Sequence, residues 1–244
     1  MTTVLSLENV VKRFGGLTAT DHMSFDVAKG ESLGLIGPNG AGKTTIFSLI
    51  MGEHRPTSGA IHLHGRDISA LPTHTRIRMG ISRTYQVPRP FAEMSVAENI
   101  RVGLMPDSLT GMLFSPPDRD AERDIALSVG FSDADLDRLP AELSMGDLRK
   151  LELARTLATG AEILLLDEVF AGLTAGEIAM VSDLINAKRA EGLTFIIVSH
   201  DLKALEPLID RALAMAQGKH IADGLFDEVI AHRDVRASYL GDTA

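Results

Sequence analysis

Apolar and polar positions alternate over residues 4–11 and again over 22–27, as in strands with one face in water, and Gly15-Gly16 marks a turn between them. A small antiparallel sheet is therefore expected first. The runs at 32–36, 162–168 and 194–198 are almost continuously apolar, and such runs read as strands buried on both faces. After the turn Pro56-Thr57-Ser58-Gly59, residues 60–64 alternate once more up to Gly65. Residues 72–79 suit a short basic helix carrying Arg76 and Arg78. Residues 80–86 suit a strand ending in Gln86, and Pro88 and Pro90 stop regular structure just beyond it.

The pattern turns helical between 91 and about 157. Ser95 and Glu98 have the spacing of a capping box, the stretch 105–118 with Gly111 and Pro116-Pro117 reads as a loop, and 119–129 reads as a helix. Another helix follows Leu143-Ser144-Met145-Gly146-Asp147, with Ser144 at its N-cap and an apolar stripe of Leu148, Leu151, Ala154, Leu157 and Ala158. Strand and helix then alternate. Residues 175–189 are amphipathic through Ile178, Val181 and Ile185, 211–215 and 219–222 form a strand pair, and 226–231 is a closing helix.

One loop organises this pattern. Gly37-Pro38-Asn39-Gly40-Ala41-Gly42-Lys43-Thr44-Thr45 fits G-x-x-x-x-G-K-[ST] at every fixed position, between a buried strand and a helix that ends near Gly52. Its glycines let several backbone N–H groups face one phosphate, and the positive end of the following helix adds to the attraction. Lys43 would reach the β- and γ-phosphates, and the Thr44 hydroxyl would meet a magnesium ion. The expected fold is α/β: a P-loop NTPase core from 1–87 and 159–244, with an N-terminal antiparallel β-subdomain and a helical subdomain inserted at 88–158.

Composition narrows the function. With 45% hydrophobic residues among 244, the chain can bury a substantial core. Its apolar runs are far short of the roughly 20 residues of a membrane span. No basic-then-apolar leader is seen at the start, so a signal peptide is not expected. The absence of cysteine excludes disulfides and thiolate metal sites, and a net charge of −9 argues against a broad nucleic-acid surface.

The strand ends carry the remaining chemistry. Asp167 closes an apolar strand at the end where ligands bind in parallel sheets, and it suits a magnesium site; Glu168, one residue further out, suits a general base. A plain strand-end turn is the alternative. His200, at the end of the next strand, could hydrogen-bond a γ-phosphate or be structural, and Gln86 could bridge metal and water. Phe14 precedes the first turn and either stacks on a base or belongs to the core.

Taken together, Gly37 to Thr45, Gln86, Leu143-Ser144-Met145-Gly146-Asp147, Asp167-Glu168 and His200 resemble the ATP-binding subunit of an ABC transporter across essentially the whole chain. The resemblance is strongest to the branched-chain amino acid importer group, through Arg78-Met79-Gly80-Ile81-Ser82-Arg83-Thr84-Tyr85-Gln86, Phe91-Ala92-Glu93-Met94-Ser95-Val96-Ala97-Glu98-Asn99 and Tyr239-Leu240-Gly241. It implies an ATPase using ATP and Mg2+. Phe14 would stack on adenine, and Gln86 would touch magnesium and sense the membrane partner. Ser144 and Gly146 would bind the γ-phosphate held by a second ATP-binding subunit, Asp167 would be the metal-side carboxylate, Glu168 the base and His200 the switch histidine.

The implied partners are transmembrane permease subunits, a second ATP-binding subunit (a heterodimer favoured over a homodimer) and, indirectly, a solute-binding protein. The implied location is peripheral, on the cytoplasmic face of the inner membrane, without nucleic acid. An ATP-dependent clamp on nucleic acid or protein, or a small-molecule kinase, are the other classes open to such a loop; the signature-like Leu143 to Asp147 argues against a kinase. Asp147, Val169 and Thr174 depart from the family pattern, where glutamine, proline and aspartate or asparagine are usual.

Overall fold

The computed structural model describes residues 2–85, 87–105 and 118–240. Gln86, Gly241 and most of the loop expected at 105–118 lie outside the described residues.

Two sheets carry the chain. The first is antiparallel, in the order β2 (Leu17–Ala28), β1 (Thr3–Phe14), β4 (Ser58–Leu63) and β5 (Arg66–Asp67). The strand β2 begins five residues before the alternation at 22–27 announces it. Register shifts in the β1–β2 ladder explain why, since each bulge resets which side chains face inward.

The second sheet runs β10 (Lys219–Gly224), β9 (Arg211–Ala216), β3 (Ser32–Ile36), β8 (Thr194–Val198), β7 (Ile163–Asp167) and β6 (Ile81–Arg83). Only the β9–β10 pair is antiparallel. All five residues of β3, β7 and β8 are buried, as their unbroken apolar runs require.

Alternate residues of the central strands feed two cores. Ile163, Leu165, Ile196 and Val198 join the antiparallel sheet and helix α1 (Lys43–Met51), while Leu164, Leu166, Phe195 and Ile197 join the opposite side. There they meet α3 (Val96–Leu104), α4 (Arg119–Ser128), α5 (Met145–Ala158) and α6 (Ala175–Ala190). The expected Ser95–Glu98 capping box opens α3. The short α7 (Leu202–Leu205) is followed by α8 (Phe226–Ala231), and a last helix, α9 (Arg233–Leu240), lies beyond the closing helix that the pattern predicts. The buried Val235 anchors α9.

Two helices differ from expectation. Helix α5 is not a one-sided stripe: Leu148 and Leu157 are half-buried, whereas Arg149, Lys150, Glu152 and Thr156 are buried with the leucines. Enclosed between the sheet and the other helices, it buries charged groups that pair with one another. Helix α2 (Thr73–Arg78) carries no free basic face at Arg76, which is wholly buried.

The guanidinium of Arg76 ends the helix in front of it. It donates to the C-terminal carbonyls Leu49 O at 2.6 Å and Ile50 O at 2.8 Å, and also to Leu71 O and Ser69 O. Burial lowers its pKa to about 10. Arg76→Met should therefore reduce stability by about 3 kcal/mol, because several buried carbonyls lose their donor together. Urea titration measures this, and a loss below about 1 kcal/mol would mean that water satisfies those carbonyls instead.

Candidate functional site

The phosphate loop leaves β3 at its carboxyl end and turns into α1. Gly42 takes φ 103°, and a Cβ there would stand 2.4 Å from Ala19 O, so only glycine fits. A cleft of about 580 Å³ opens beside it. Its walls are the loop, the Leu17 to Ala19 stretch of β2, and the strand-end residues Asp167, Glu168 and His200. Asn39, Gly40, Ala41, Gly42, Lys43, Thr44 and Thr45 line it, so the loop and the two strand ends meet as their positions suggested.

Lys43 does not extend freely from the loop. It is 7% exposed, and its Nζ donates to Gly37 O at 2.6 Å and to Pro38 O at 3.1 Å. Burial lowers its pKa, and the nearby charges of Glu168 and Asp167 oppose that shift. Thr44, next in the helix, is exposed.

Asp167 ends β7 in an ion pair that the sequence did not reveal. Arg83 Nη2 donates to Asp167 Oδ2 at 2.6 Å, and both side chains are only 5% exposed. The same guanidinium reaches Ser48 Oγ and Glu53 Oε2, each at 3.2 Å, and lies over the rings of Phe47 and Tyr85. In the sheet Arg83 stands beside Leu165, two residues before Asp167. Its partner is 84 positions away, so no local pattern names it.

Glu168 has φ 52°, a left-handed backbone costly for a residue with a side chain. Several contacts hold it there. Its N–H donates to Val198 O at 2.9 Å, its carbonyl accepts from Ala171 N–H at 3.0 Å, and its Oε2 accepts from His200 N–H at 3.2 Å. His200 Nε2 lies 3.2 Å from Glu168 Oε1. The two strand-end residues that the sequence singles out are thus in direct contact with each other.

Thr44 and Asp167 offer only oxygen atoms toward the cleft, a donor set that suits a hard cation. A nucleotide-bound magnesium needs only one or two protein oxygens. Among the described residues no cluster of three or more His, Cys, Asp or Glu side chains could hold a metal by itself. Gln86 lies outside the described residues; its neighbour Tyr85 is fixed through both backbone groups, N–H to Glu152 Oε1 at 2.7 Å and carbonyl from Arg149 Nη1 at 2.8 Å.

Ser144 caps α5 by accepting from Asp147 N–H, and its hydroxyl donates to Asp147 Oδ2. Gly146 N–H donates to Glu177 Oε1 at 2.9 Å, and a Cβ on Gly146 would come 2.6 Å from that oxygen. The capping-box spacing of Thr174 and Glu177 is the local signal for Glu177, but nothing local announces its contact with Gly146. Hydrogen bonds from Thr174 hold its carboxyl below the usual range. Phe14 is 41% exposed and so not core. Its ring meets His54 edge-on at 5.1 Å, with Lys12 Nζ above it, outside the residues that line the cleft.

A glycine loop leading from a buried parallel strand into a helix, beside strand-end carboxylates, is the architecture of a P-loop NTPase. The ABC transporter family model matches residues 20–171, and the chain belongs to that family. It is 36% identical, across 98% of each chain, to the high-affinity branched-chain amino acid transport ATP-binding protein LivG of Salmonella typhimurium. It is also 36% identical to the lipopolysaccharide export system ATP-binding protein LptB of Acidithiobacillus ferridurans, across 99% of this chain and 98% of that one. Among solved structures, MJ1267, an ATP-binding cassette of an ABC transporter in its ADP conformation, superposes with a TM-score of 0.88 at 30% identity, covering 99% of this chain and 100% of that one.

The buried pair at the end of β7 can be tested without nucleotide. Asp167→Ala takes from Arg83 its nearest carboxylate and leaves only the more distant Glu53, and should cost about 3 kcal/mol of stability. Arg83→Met with Asp167→Leu removes both charges and should cost less than the single change. Denaturant titration of the parent, Asp167→Ala, Arg83→Met, Asp167→Leu and the double variant decides it, and strictly additive losses would show that the pair is not coupled.

Proposed function

We propose that this chain is the ATP-hydrolysing subunit of an importer for branched-chain amino acids or related small polar solutes. The likeness to LivG along the whole chain supports the substrate class. The observation that carries the chemistry is the Glu168–His200 contact at the edge of the cleft, opposite Lys43. The net charge of −9 disfavours the alternative of a clamp on nucleic acid. The comparable likeness to LptB makes lipid export the reading to be tested against import.

In this reading Lys43 exchanges its loop carbonyls for β- and γ-phosphate oxygens, and the loop N–H groups from Gly37 to Thr45 cradle the rest. Thr44, Gln86 and Asp167 hold magnesium, which supplies positive charge to the phosphate oxygens when bound. Glu168 takes a proton from a water molecule whose oxygen attacks the γ-phosphorus while the bond to the ADP oxygen breaks. His200 holds the Glu168 carboxylate in place and faces the γ-phosphate. Phe14 stacks on the base if its hairpin closes over the cleft.

Ser144 and Gly146 serve the nucleotide of a second ATP-binding subunit, and Gly146 must then exchange Glu177 for phosphate. Residues 1–87 and 159–244 act as the nucleotide-binding core, and 88–158 as the part that meets the permease. No described helix is long and apolar enough to cross a membrane, which suits a peripheral subunit on the cytoplasmic face of the inner membrane, with a solute-binding protein acting at a distance. Asp147 is neutralised by Lys150 at 2.9 Å, Val169 packs in the core and Thr174 caps α6. These departures therefore do not choose between an identical and a homologous second subunit.

Glu168→Gln should retain ATP binding while turnover falls about 10²-fold or more, since a general base contributes roughly 10²–10⁴. Hydrolysis at the parent rate would remove Glu168 from that role. The permease is expected to dock over the Gln86 to Asn99 region, where Phe91 and Met94 are exposed beside Arg89. Crosslinks from this strip to an amino acid permease would support import, and crosslinks confined to other faces would exclude the docking site.

A further inference from the structure

The buried Arg149 is not used by the chemistry proposed above, yet it touches the backbone on which that chemistry stands. It lies in α5, 3% exposed, and its guanidinium reaches other parts of the chain. Nη1 donates to Tyr85 O at 2.8 Å and to Glu152 Oε2 at 3.1 Å, and Nη2 reaches Glu168 O at 3.4 Å. Glu152 completes the clamp by accepting Tyr85 N–H at 2.7 Å. One turn of one helix therefore grips both sides of the Tyr85 residue and the carbonyl of Glu168.

We infer that Arg149 is a positioning residue for Glu168, fixing the main chain of the base and the segment after β6 to the same turn of α5. The inference rests on the reading of Glu168 as the general base. Its physical ground is the left-handed φ of 52° at Glu168. A non-glycine residue stays in that conformation only where its surroundings over-determine it. The carbonyl that Arg149 reaches, which also accepts from Ala171 N–H at 3.0 Å, belongs to the peptide plane that helps set where the Glu168 Cα–Cβ bond points, so loss of the second donor lets that plane turn and re-aims the carboxylate. The partners named for Arg149 lie outside the phosphate loop, so a change there acts on Glu168 and on the chain at Tyr85 rather than on the loop directly. The same clamp ties Glu168 to the chain leading into the 86–99 strip, so a partner seated there would act on the base through Tyr85 and Arg149.

A strut that merely joins α5 to β6 would alter stability and leave the rate per folded molecule unchanged. The test uses the full chain with ATP and magnesium, comparing Arg149→Lys, Glu152→Ala, Glu168→Gln and the Arg149→Lys/Glu168→Gln double variant. Circular dichroism and melting curves establish the folded fraction, and a fluorescent ATP analogue reports binding. Arg149→Lys keeps the charge and loses the fork. It should lower kcat about tenfold or more, because small misplacements of a catalytic group have effects of that size. The KM for ATP should stay within about twofold, the signature of an interaction felt in the transition state. In the Glu168→Gln background the same substitution should produce no further loss.

An unchanged kcat in folded Arg149→Lys would overturn the inference, as would an equal, additive loss on top of Glu168→Gln. If Arg149→Lys does not fold, Glu152→Ala, which removes one anchor of the same guanidinium, takes its place: a lowered kcat at unchanged KM supports the inference, and an unchanged kcat overturns it. Parent-level hydrolysis by Glu168→Gln would instead refute the base itself, a result distinguishable from failure of the Arg149 effect.

Discussion

Charges that water cannot solvate sit at the carboxyl edge of the parallel sheet, and the surrounding structure is arranged around keeping each of them paired. An isolated buried ion is costly enough that it neutralises or finds a partner. Here Asp167 has Arg83, Glu168 has His200, Arg149 has Glu152, and Lys43 has two loop carbonyls. Apart from the one-turn pair within α5, each of these contacts joins different parts of the chain or turns a loop upon itself. The need to satisfy the charges thereby fixes the relative positions of β6, β7, α1, α5 and the phosphate loop.

The arrangement also explains how a mostly apolar scaffold can respond to a ligand. Lys43 is held by neutral carbonyl oxygens, weaker acceptors than phosphate, so an anionic ligand in the cleft competes for it on favourable terms. Gly146 N–H is already occupied by a carboxylate, which shows that the N-terminal turn of α5 accepts an anion in this geometry. A switch between such alternatives needs no unfolding. It exchanges one hydrogen-bonded acceptor for another, while the apolar cores on both faces of the sheet remain packed.

Local chemistry was legible in the sequence and distant pairing was not. The phosphate loop, the capping boxes at Ser95 and Thr174 and the strand-end carboxylates each depend on residues a few positions apart, and only the Thr174 cap was not anticipated. The central strands could be read because two-sided burial leaves their interiors apolar, with polar residues such as Ser32, Asp167 and Thr194 only at their ends. By contrast, Arg76, Arg83, Arg149 and Glu177 look in sequence like ordinary charged residues on helices and strand ends. Their roles come from carbonyls and carboxylates brought close by the fold: Arg76 serves a helix that ended more than twenty residues earlier, and Glu177 meets a glycine 31 positions away. The stripe read into α5 is there at Leu151, Ala154 and Ala158 but is only part of the buried surface, since buried ion pairs make a polar residue compatible with an enclosed face.

The three departures from the family pattern show what this implies for inference from sequence. Asp147 suggests an unwelcome negative charge near a phosphate only while it is considered alone. Its carboxyl is pushed up by burial, and hydrogen bonds from Lys150 and Ser144 outweigh that push and keep its pKa below the usual value. Val169 contributes a buried side chain to the core, where proline would contribute a ring and forgo an N–H. Thr174 performs the capping that aspartate or asparagine performs elsewhere, since its hydroxyl accepts from Glu177 N–H. Each substitution thus keeps the local physical requirement and changes only the residue that meets it. A departure at the subunit seam becomes evidence about a partner only when such a local account is missing.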